Sequence, residues 1–335
     1  MSDLAKYQQE MLPAIHAYLN EFVDELFADS KTELRTIFRY HIGLDAPIEL
    51  QGKRVRPWLV LICAQGAGGD WRSSLPAAAA FELVHNFSLI HDDIEDNGET
   101  RRGQAAVWRK WGLAPGLNAG DVMFATAFKA LENLQGQVPD DVLSKASLLV
   151  ADTCFRLTKG QQLDIEFQLQ ERVFESEYEE MIAGKTAALL GACCQMGALL
   201  AGKDESEQKK YRQFGQALGM AFQVYDDWLG VWGQESETGK STYGDLMEGK
   251  KSLPVILGFE ASARFAERWE KGALDEREAQ EMARWLLEDG VSAKVKQAYE
   301  HWNAQASQHL EEMDCEGEVK LALREFANKL LTRKK

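Results

Sequence analysis

Residues 75–96 read LPAAAAFELVHNFSLIHDDIED, and this stretch decides the fold class. Leu75, Ala78, Phe81/Glu82, His85, Leu89, Asp92 and Asp96 recur at steps of three or four, the spacing of one helix face. The largely apolar run from Phe81 to Ile90 leads straight into Asp92-Asp93-Ile94-Glu95-Asp96. Outward from it, segments 118–134, 140–170, 175–202, 206–232, 252–270, 275–288, 291–312 and 317–332 show the same period. Strict alternation rich in Val, Ile and Thr is nearly absent. The seven prolines fall mostly between the periodic segments, and no composition shift marks a linker. The expectation is an all-α chain of ten or more helices, one domain over 1–335. Its most loop-like stretch is 233–251, where Gly233, Gly239, Gly244 and Gly249 interleave with Lys240, Lys250 and Lys251.

A chain of 335 residues can bury a substantial core. Its net charge of -15 argues against nucleic acid, whose phosphates favour basic surfaces. Cys63, Cys154, Cys193, Cys194 and Cys315 are odd in number and lack metal-ligand spacing, which fits a reduced, cytoplasmic compartment. Met1 to Tyr18 does not read as a signal peptide. No run of about 18 apolar residues suggests a transmembrane segment.

The acidic residues carry the chemistry. Asp92 and Asp96 are four apart, so on a helix their carboxylates share a face and repel, and a cation removes that cost. Hard oxygen ligands select Mg²⁺, which binds through one or two carboxylates plus substrate phosphates. Taken alone, the cluster could equally be a solvated helix end. A second cluster, Asp226-Asp227, follows another apolar run, Met220 to Tyr225, and two such helix ends together point to a shared metal site. Arg101-Arg102 trail the first cluster and Lys240 the second, and guanidinium groups bind phosphate in bidentate fashion. Gly52-Lys53-Arg54-Val55-Arg56-Pro57 adds a basic group, readable also as an exposed helix start. Lys185-Thr186 interrupt an apolar helix, and alone Lys185 reads as snorkelling.

Together these residues resemble the trans-isoprenyl diphosphate synthases, the polyprenyl synthetase family. The resemblance runs in order through Gly52 to Pro57, His91 to Asp96 with Arg101-Arg102-Gly103, Gly160-Gln161-Gln162-Leu163-Asp164, Lys185-Thr186, Phe222 to Gly230, and the loop with Gly239-Lys240, Asp245 and Gly249-Lys250. It covers about residues 40 to 260. The resemblance implies an orthogonal helical bundle around a deep central cavity, usually homodimeric. It implies Mg²⁺-dependent 1'-4 condensation of isopentenyl diphosphate with a C5–C15 allylic diphosphate, with three Mg²⁺ ions that Mn²⁺ can replace. By the family's roles, Asp92, Asp96 and Asp226 are expected to bind metal, with Asp93 and Asp227 just behind them. Arg101, Lys185 and Lys240 are expected on the allylic diphosphate, and Lys53, Arg56, His85 and Arg102 on the isopentenyl diphosphate. Thr186 and Gln223 belong near the reacting carbons, so Lys185, Thr186, Gln223, Asp92 and Asp226 form the expected catalytic set. Lys250 closes over the site, and the Arg333-Lys334-Lys335 tail helps cover it. His91 is expected to cap or orient the aspartates.

Two features individualise the chain. The family's second motif commonly ends in a third Asp, and here that position is Gly230; Tyr225 stands where a polar residue is frequent. An aromatic five before the first motif, here Phe87, resembles a chain-length stop, which points to C20 products with C15 next. An ideal helix places Ser88 within about 40° of Asp92 but Phe87 about 140° away, so Phe87 also reads as core. The competing readings are a terpene cyclase or head-to-head synthase of the same fold, a non-catalytic subunit of a heteromeric synthase, and a helical interaction protein. The basic Lys53, Arg56 and Arg102 speak against the cyclase, and the intact first motif against the regulatory subunit.

Overall fold

The computed structural model of the chain describes residues 2–47, 51–233 and 243–332. Its helices are α1 (Asp3–Leu26), α2 (Leu34–Ile42), α3 (Val55–Gly66), α4 (Leu75–Glu95), α5 (Val107–Trp111), α6 (Leu113–Glu132), α7 (Asp140–Leu169), α8 (Glu175–Ile182), α9 (Ala188–Leu200) and α10 (Glu205–Trp232). They continue as α11 (Gly244–Met247), α12 (Leu253–Ala261), α13 (Ala263–Trp269), α14 (Glu276–Glu288), α15 (Val291–Glu312) and α16 (Gly317–Thr332). A π-helical turn, Ala183–Ala187, joins α8 to α9. Two strands, β1 (Thr100–Arg101) and β2 (Gln104–Ala105), form an antiparallel hairpin. The all-α expectation holds.

Three boundaries differ from the sequence reading. Helix α6 begins at Leu113 rather than 118, because Pro115 in a first turn costs no hydrogen bond there. Segment 252–270 divides at Ser262, whose extended backbone ends α12 and whose hydroxyl accepts the Phe265 N–H to start α13. The stretch expected to be a loop contains α11.

The chain groups into two compact units. The first comprises Met1–Cys154, Ala192–Tyr211 and Asp314–Leu323. In it, α1 buries Leu4, Tyr7, Met11, Ile15, Leu19, Phe22 and Val23, a stripe at helical period. Each such aliphatic side chain contributes about 1.5–3 kcal/mol on leaving water. Helix α4 is buried without break from Pro76 to Val84, so its first half is core and only its second half can serve a site. Close helix approach uses glycine: a Cβ on Gly197 of α9 would lie 2.6 Å from the Val60 carbonyl oxygen of α3.

The second unit comprises Phe155–Gly191, Arg212–Met313 and Arg324–Lys335. Its core includes Tyr178, Met220, Val224, Val255, Phe265, Met282, Leu286 and Val295. Trp228 Nε1 donates to Ser292 Oγ at 2.9 Å and Trp232 Nε1 to the Ala283 carbonyl at 3.1 Å, which ties α10 to α15 and α14. Tyr225 stacks on Trp228 and contacts Tyr299, so this departure from the family pattern serves packing. Asp275 and Glu278 form a reciprocal capping box at the start of α14. By length and composition Glu175–Leu200 could cross a membrane, but 83% of its apolar window is buried inside the protein, as in a core helix.

Candidate active site

The first acidic cluster sits at the C-terminal end of α4. Asp92 lies in the last turn, and Asp96 is the residue that ends the helix, its N–H bonded to the Asp92 carbonyl at 2.9 Å. Carboxylates at the negative end of a helix dipole favour a nearby cation. The protein supplies one through the hairpin. Arg102 and Gly103 fill the two-residue turn with φ of 53° and 73°, the left-handed pair a type I′ turn requires. That turn sends Arg101 back to the helix. Its Nε donates to Asp93 Oδ1 at 2.9 Å, and its Nη2 donates to Asp93 Oδ1 at 2.5 Å and Asp92 Oδ2 at 3.1 Å. Asp93 is 2% exposed; burial pushes its carboxyl up, and Arg101 opposes that shift. Asp92 and Asp96 thus project from the helix end while Asp93 is the anchor beneath them.

A basic group lies beside this cluster in the same unit. Arg56 Nη1 meets His85 Nε2 at 3.0 Å. Burial, then the Arg56 charge, holds His85 well below its usual range, so its Nε2 accepts from the guanidinium. Arg102 Nη1 donates to the His41 carbonyl at 3.0 Å, and its guanidinium packs against Gly52, where a Cβ would come within 3.2 Å. Burial lowers the Arg102 pKa, with Arg54, Arg101 and Arg56 adding to it. Arg54, named in the basic run but given no site role, is buried and paired with Glu82, and its Nη2 donates to the Ile42 carbonyl at 2.5 Å. Glu82 also accepts from Asn86 Nδ2 at 3.0 Å, and the Asn86 carbonyl faces His41 Nε2 at 3.1 Å. The signal for this scaffold was Glu82 and Asn86, four apart inside an apolar run where each polar group needs a partner.

The stripe His85, Ser88, Leu89 and Asp92 is half-buried on one face of α4. Phe87 points elsewhere, toward α6, with its ring 5.3 Å from Phe124 and 6.0 Å from His91. His91 Nε2 faces the Leu117 carbonyl at 3.4 Å and Asp121 Oδ1 at 3.8 Å, in space left by Gly120.

The second cluster is built differently. Asp226 and Asp227 lie within α10, more than a turn before its end. Asp227 is 6% exposed and its carboxylate accepts three bonds: Gln223 Nε2 at 2.9 Å, Tyr178 Oη at 2.7 Å, and the Leu253 N–H at 3.0 Å. The last makes Asp227 the cap of α12, in place of Ser252, whose hydroxyl makes no capping bond. Burial pushes Asp227 up to about 6 although all three donors oppose it. Gln223 in turn accepts from Thr186 Oγ1 at 2.8 Å, so one bonded chain fixes both residues expected near the reacting carbons.

Lys185 and Thr186 lie in the π turn. Gly160 and Gly184 let that turn press on α7: a Cβ on Gly160 would lie 2.1 Å from the Lys185 nitrogen. Four residues on from Gly160, Asp164 Oδ2 accepts from Lys185 Nζ at 2.6 Å. Lys185 is therefore ion-paired rather than snorkelling. A cavity of about 90 Å³ in this unit is lined by Asp164, Lys185, Gln223, Asp226, Asp245 and Lys250, among others. Lys240 and Arg333-Lys334-Lys335 lie outside the described residues.

Among the described residues no group of three or more His, Cys, Asp or Glu could by itself hold a metal ion. The donor set still fits Mg²⁺, which takes one or two carboxylates and completes its shell with water and phosphate oxygens. Asp92 with Asp96, and Asp226 beside a lysine-lined cavity, offer that pattern.

Known proteins resemble the chain along most of its length. The chain is 38% identical over 281 residues to a geranylgeranyl diphosphate synthase of Methanosarcina mazei, covering 84% of each chain. It is 34% identical over 316 residues to a geranylgeranyl pyrophosphate synthase of Geoglobus acetivorans, covering 94% of this chain and 96% of the other. The solved structure of a geranylgeranyl pyrophosphate synthetase from Pyrococcus horikoshii superposes with a TM-score of 0.88 at 29% identity, covering 99% of this chain and 98% of that one. Residues 41–289 match the polyprenyl synthetase family model, and the chain belongs to that family.

Proposed function

We propose that the protein is a short-chain isoprenyl diphosphate synthase, a prenyltransferase that condenses isopentenyl diphosphate head-to-tail with an allylic diphosphate. The observation that carries this reading is the pairing of each aspartate cluster with its own cationic group: Asp92 with Arg101, and Asp226 with Lys185 across one small cavity. Both relatives described above carry geranylgeranyl synthase names, which supports a C20 product.

Asp92, Asp96 and Asp226 would hold Mg²⁺, which when bound supplies positive charge to the oxygens of the departing diphosphate. Arg101 and Lys185 are each read as binding diphosphate oxygens, stabilising charge as the allylic C–O bond breaks. Lys53, Arg56 and Arg102 take the isopentenyl diphosphate, with neutral His85 accepting from Arg56 and so aiming it. Holding the two substrates together contributes up to about 7–11 kcal/mol. Thr186 and Gln223, locked by their mutual bond, present oxygen dipoles to the developing carbocation. The new C–C bond forms from the isopentenyl double bond, and an oxygen of the released diphosphate takes the proton that restores an alkene.

The protein is read as a cytoplasmic homodimer: all five cysteines are free, and Leu113, Leu117 and Phe124 of α6 are exposed apolar side chains in the first unit. Light scattering at micromolar concentration checks the oligomer. The activity test is incubation with isopentenyl diphosphate, C5, C10 or C15 primers and Mg²⁺, with product lengths measured. C20 products are expected, and no Mg²⁺-dependent diphosphate release from any primer would sink the reading. Ser88→Phe, on the half-buried stripe with Asp92, should shorten products. Phe87→Ala should lengthen them by loosening the Phe124 contact, and unchanged products would remove Phe87 as a stop.

A further inference from the structure

Arg54 stands between Lys53 and Arg56 in the basic run before α3, yet its side chain turns inward and is 6% exposed. Its Nη1 donates to Glu82 Oε1 of α4, whose side chain is 3% exposed. Its backbone is left-handed, with φ of 48° and ψ of 34°. A residue with a Cβ holds that conformation at a cost, and does so where its surroundings over-determine it.

The end of α2 shows how the bend is held. Gly43 ends that helix, and the Gly43 and Leu44 N–H groups take the Arg39 and Tyr40 carbonyls. The next two carbonyls accept from arginines instead: His41 from Arg102 Nη1 at 3.0 Å and Ile42 from Arg54 Nη2 at 2.5 Å. One helix terminus, the negative end of its dipole, thus holds two guanidinium groups side by side. Arg102 also packs against Gly52, two residues before Arg54, and Arg56 meets His85, two residues after it. A buried ion pair contributes little net stability, because desolvation offsets the attraction, and apolar residues of similar volume can replace it. What the Arg54–Glu82 pair does supply is direction, since the planar fork of a guanidinium fixes where its partners lie.

We propose that Arg54 and Glu82 are positioning residues for isopentenyl diphosphate: their ion pair pins the left-handed bend at 54, and that bend sets the aim of Lys53, Arg56 and Arg102. The inference rests on the synthase reading above, which gives those three residues the isopentenyl diphosphate. Both members of the pair are buried, so they act through the residues they hold. Charge alone predicts the opposite sign for their removal. Burial lowers the pKa of Arg56 and of Arg102, and the Glu82 carboxylate opposes that shift in each. Loss of that carboxylate leaves the basic group more positive and would tighten its hold on a diphosphate if charge were all that mattered. Positioning predicts that the same loss weakens it.

The experiment is steady-state kinetics on the full chain with isopentenyl diphosphate and a C15 allylic diphosphate, each varied while the other saturates. Melting temperature is the folding control. Glu82→Gln keeps the shape and removes the charge. Arg54→Met/Glu82→Leu replaces the pair by apolar side chains and leaves the net charge unchanged. Each should raise KM for isopentenyl diphosphate about 10–100-fold, with the allylic KM within about twofold of wild type and kcat little changed. A melting loss in the double variant leaves Glu82→Gln, the isosteric change, to decide on the same two constants. An isopentenyl KM at or below wild type in either folded variant, or equal rises in both KM values, would overturn the proposal. Wild type that releases no diphosphate from any primer with Mg²⁺ would overturn the synthase reading, and this proposal with it.

Discussion

The two aspartate pairs look alike in sequence, each an apolar run ending in Asp-Asp, yet the protein supports them by opposite means. In the first pair the buried member, Asp93, is neutralised by one cation, Arg101, delivered by a hairpin. In the second the buried member, Asp227, is held by three neutral donors from α8, α10 and α12. The difference teaches what the doubled aspartate is for. One member is presented to the ligand and the other is the anchor that fixes its direction. An anchor held by a cation keeps the local charge near balance. An anchor held by neutral dipoles leaves the negative charge in place and must endure burial, which is why Asp227 is pushed up to about 6.

The largest effect should come from the presented members. Asp92→Ala and Asp226→Ala are each expected to lower turnover by a factor on the order of 10²–10³ with melting temperature little changed. A variant with near-wild-type rate would break the assignment of that residue. The anchors should separate the two regions. Asp227→Ala strands the Tyr178 hydroxyl, the Leu253 N–H and Gln223, and should cost about 2–4 kcal/mol in urea denaturation. Asp93→Ala leaves Arg101, which is partly exposed and still touches Asp92, and should cost only about 1–2 kcal/mol. Equal losses would erase the distinction drawn above.

A smaller effect tests the basic scaffold behind the first cluster. Burial, followed by the charges of Arg102 and Arg101, pushes His41 down to about 3. As pH falls below about 6.5 the unfolded chain takes a proton that folded His41 refuses, so stability should decline with acidity until pH nears 3. The slope from this one group is at most about 1.4 kcal/mol per pH unit. His41→Gln retains a donor for the Asn86 carbonyl and should flatten the pH 4–5.5 portion of the denaturation profile. An unchanged slope would mean that His41 titrates normally. Smallest of all, Tyr178→Phe removes one of the Asp227 donors and should cost about 1 kcal/mol. It should also lower kcat several-fold with KM little changed, since Gln223 and Thr186 lose a fixed neighbour. A pure stability loss with normal kcat would confine the network to folding.

The helices were legible because they need only periodicity. The stripes of α4 and α15 follow from spacing alone, and α15 matches its expected bounds of 291 and 312. Boundaries set by single hydrogen bonds were not: the break at Ser262 depends on one hydroxyl reaching one N–H. In the site, the residues that face a ligand were readable from their charge. The residues that face those residues were hidden, since Arg54 resembles its neighbours Lys53 and Arg56 until its ion pair with Glu82 is seen. Tyr178 gave no signal, because a tyrosine at a helical apolar position is ordinary core until its hydroxyl finds Asp227. Asp245 was legible as a motif residue, but that its carboxyl fills the space beside Gly230 depends on two helices meeting.

The π turn at Ala183–Ala187 has a consequence for how this chain tolerates insertions and deletions. A π turn holds one residue more than an α turn closing the same backbone. Loss of a single residue there would let α8 and α9 merge into one regular helix, with its hydrogen bonds complete and its fold intact. The helices on either side would keep their relative phase, because the wide turn had already absorbed the extra residue, and only the residues of the turn itself would be re-aimed. Lys185 and Thr186 would then lose their bearing on Asp164 and Gln223. The helix would gain regularity and the two side chains would lose their aim, so the surplus residue sets chemistry against helix perfection.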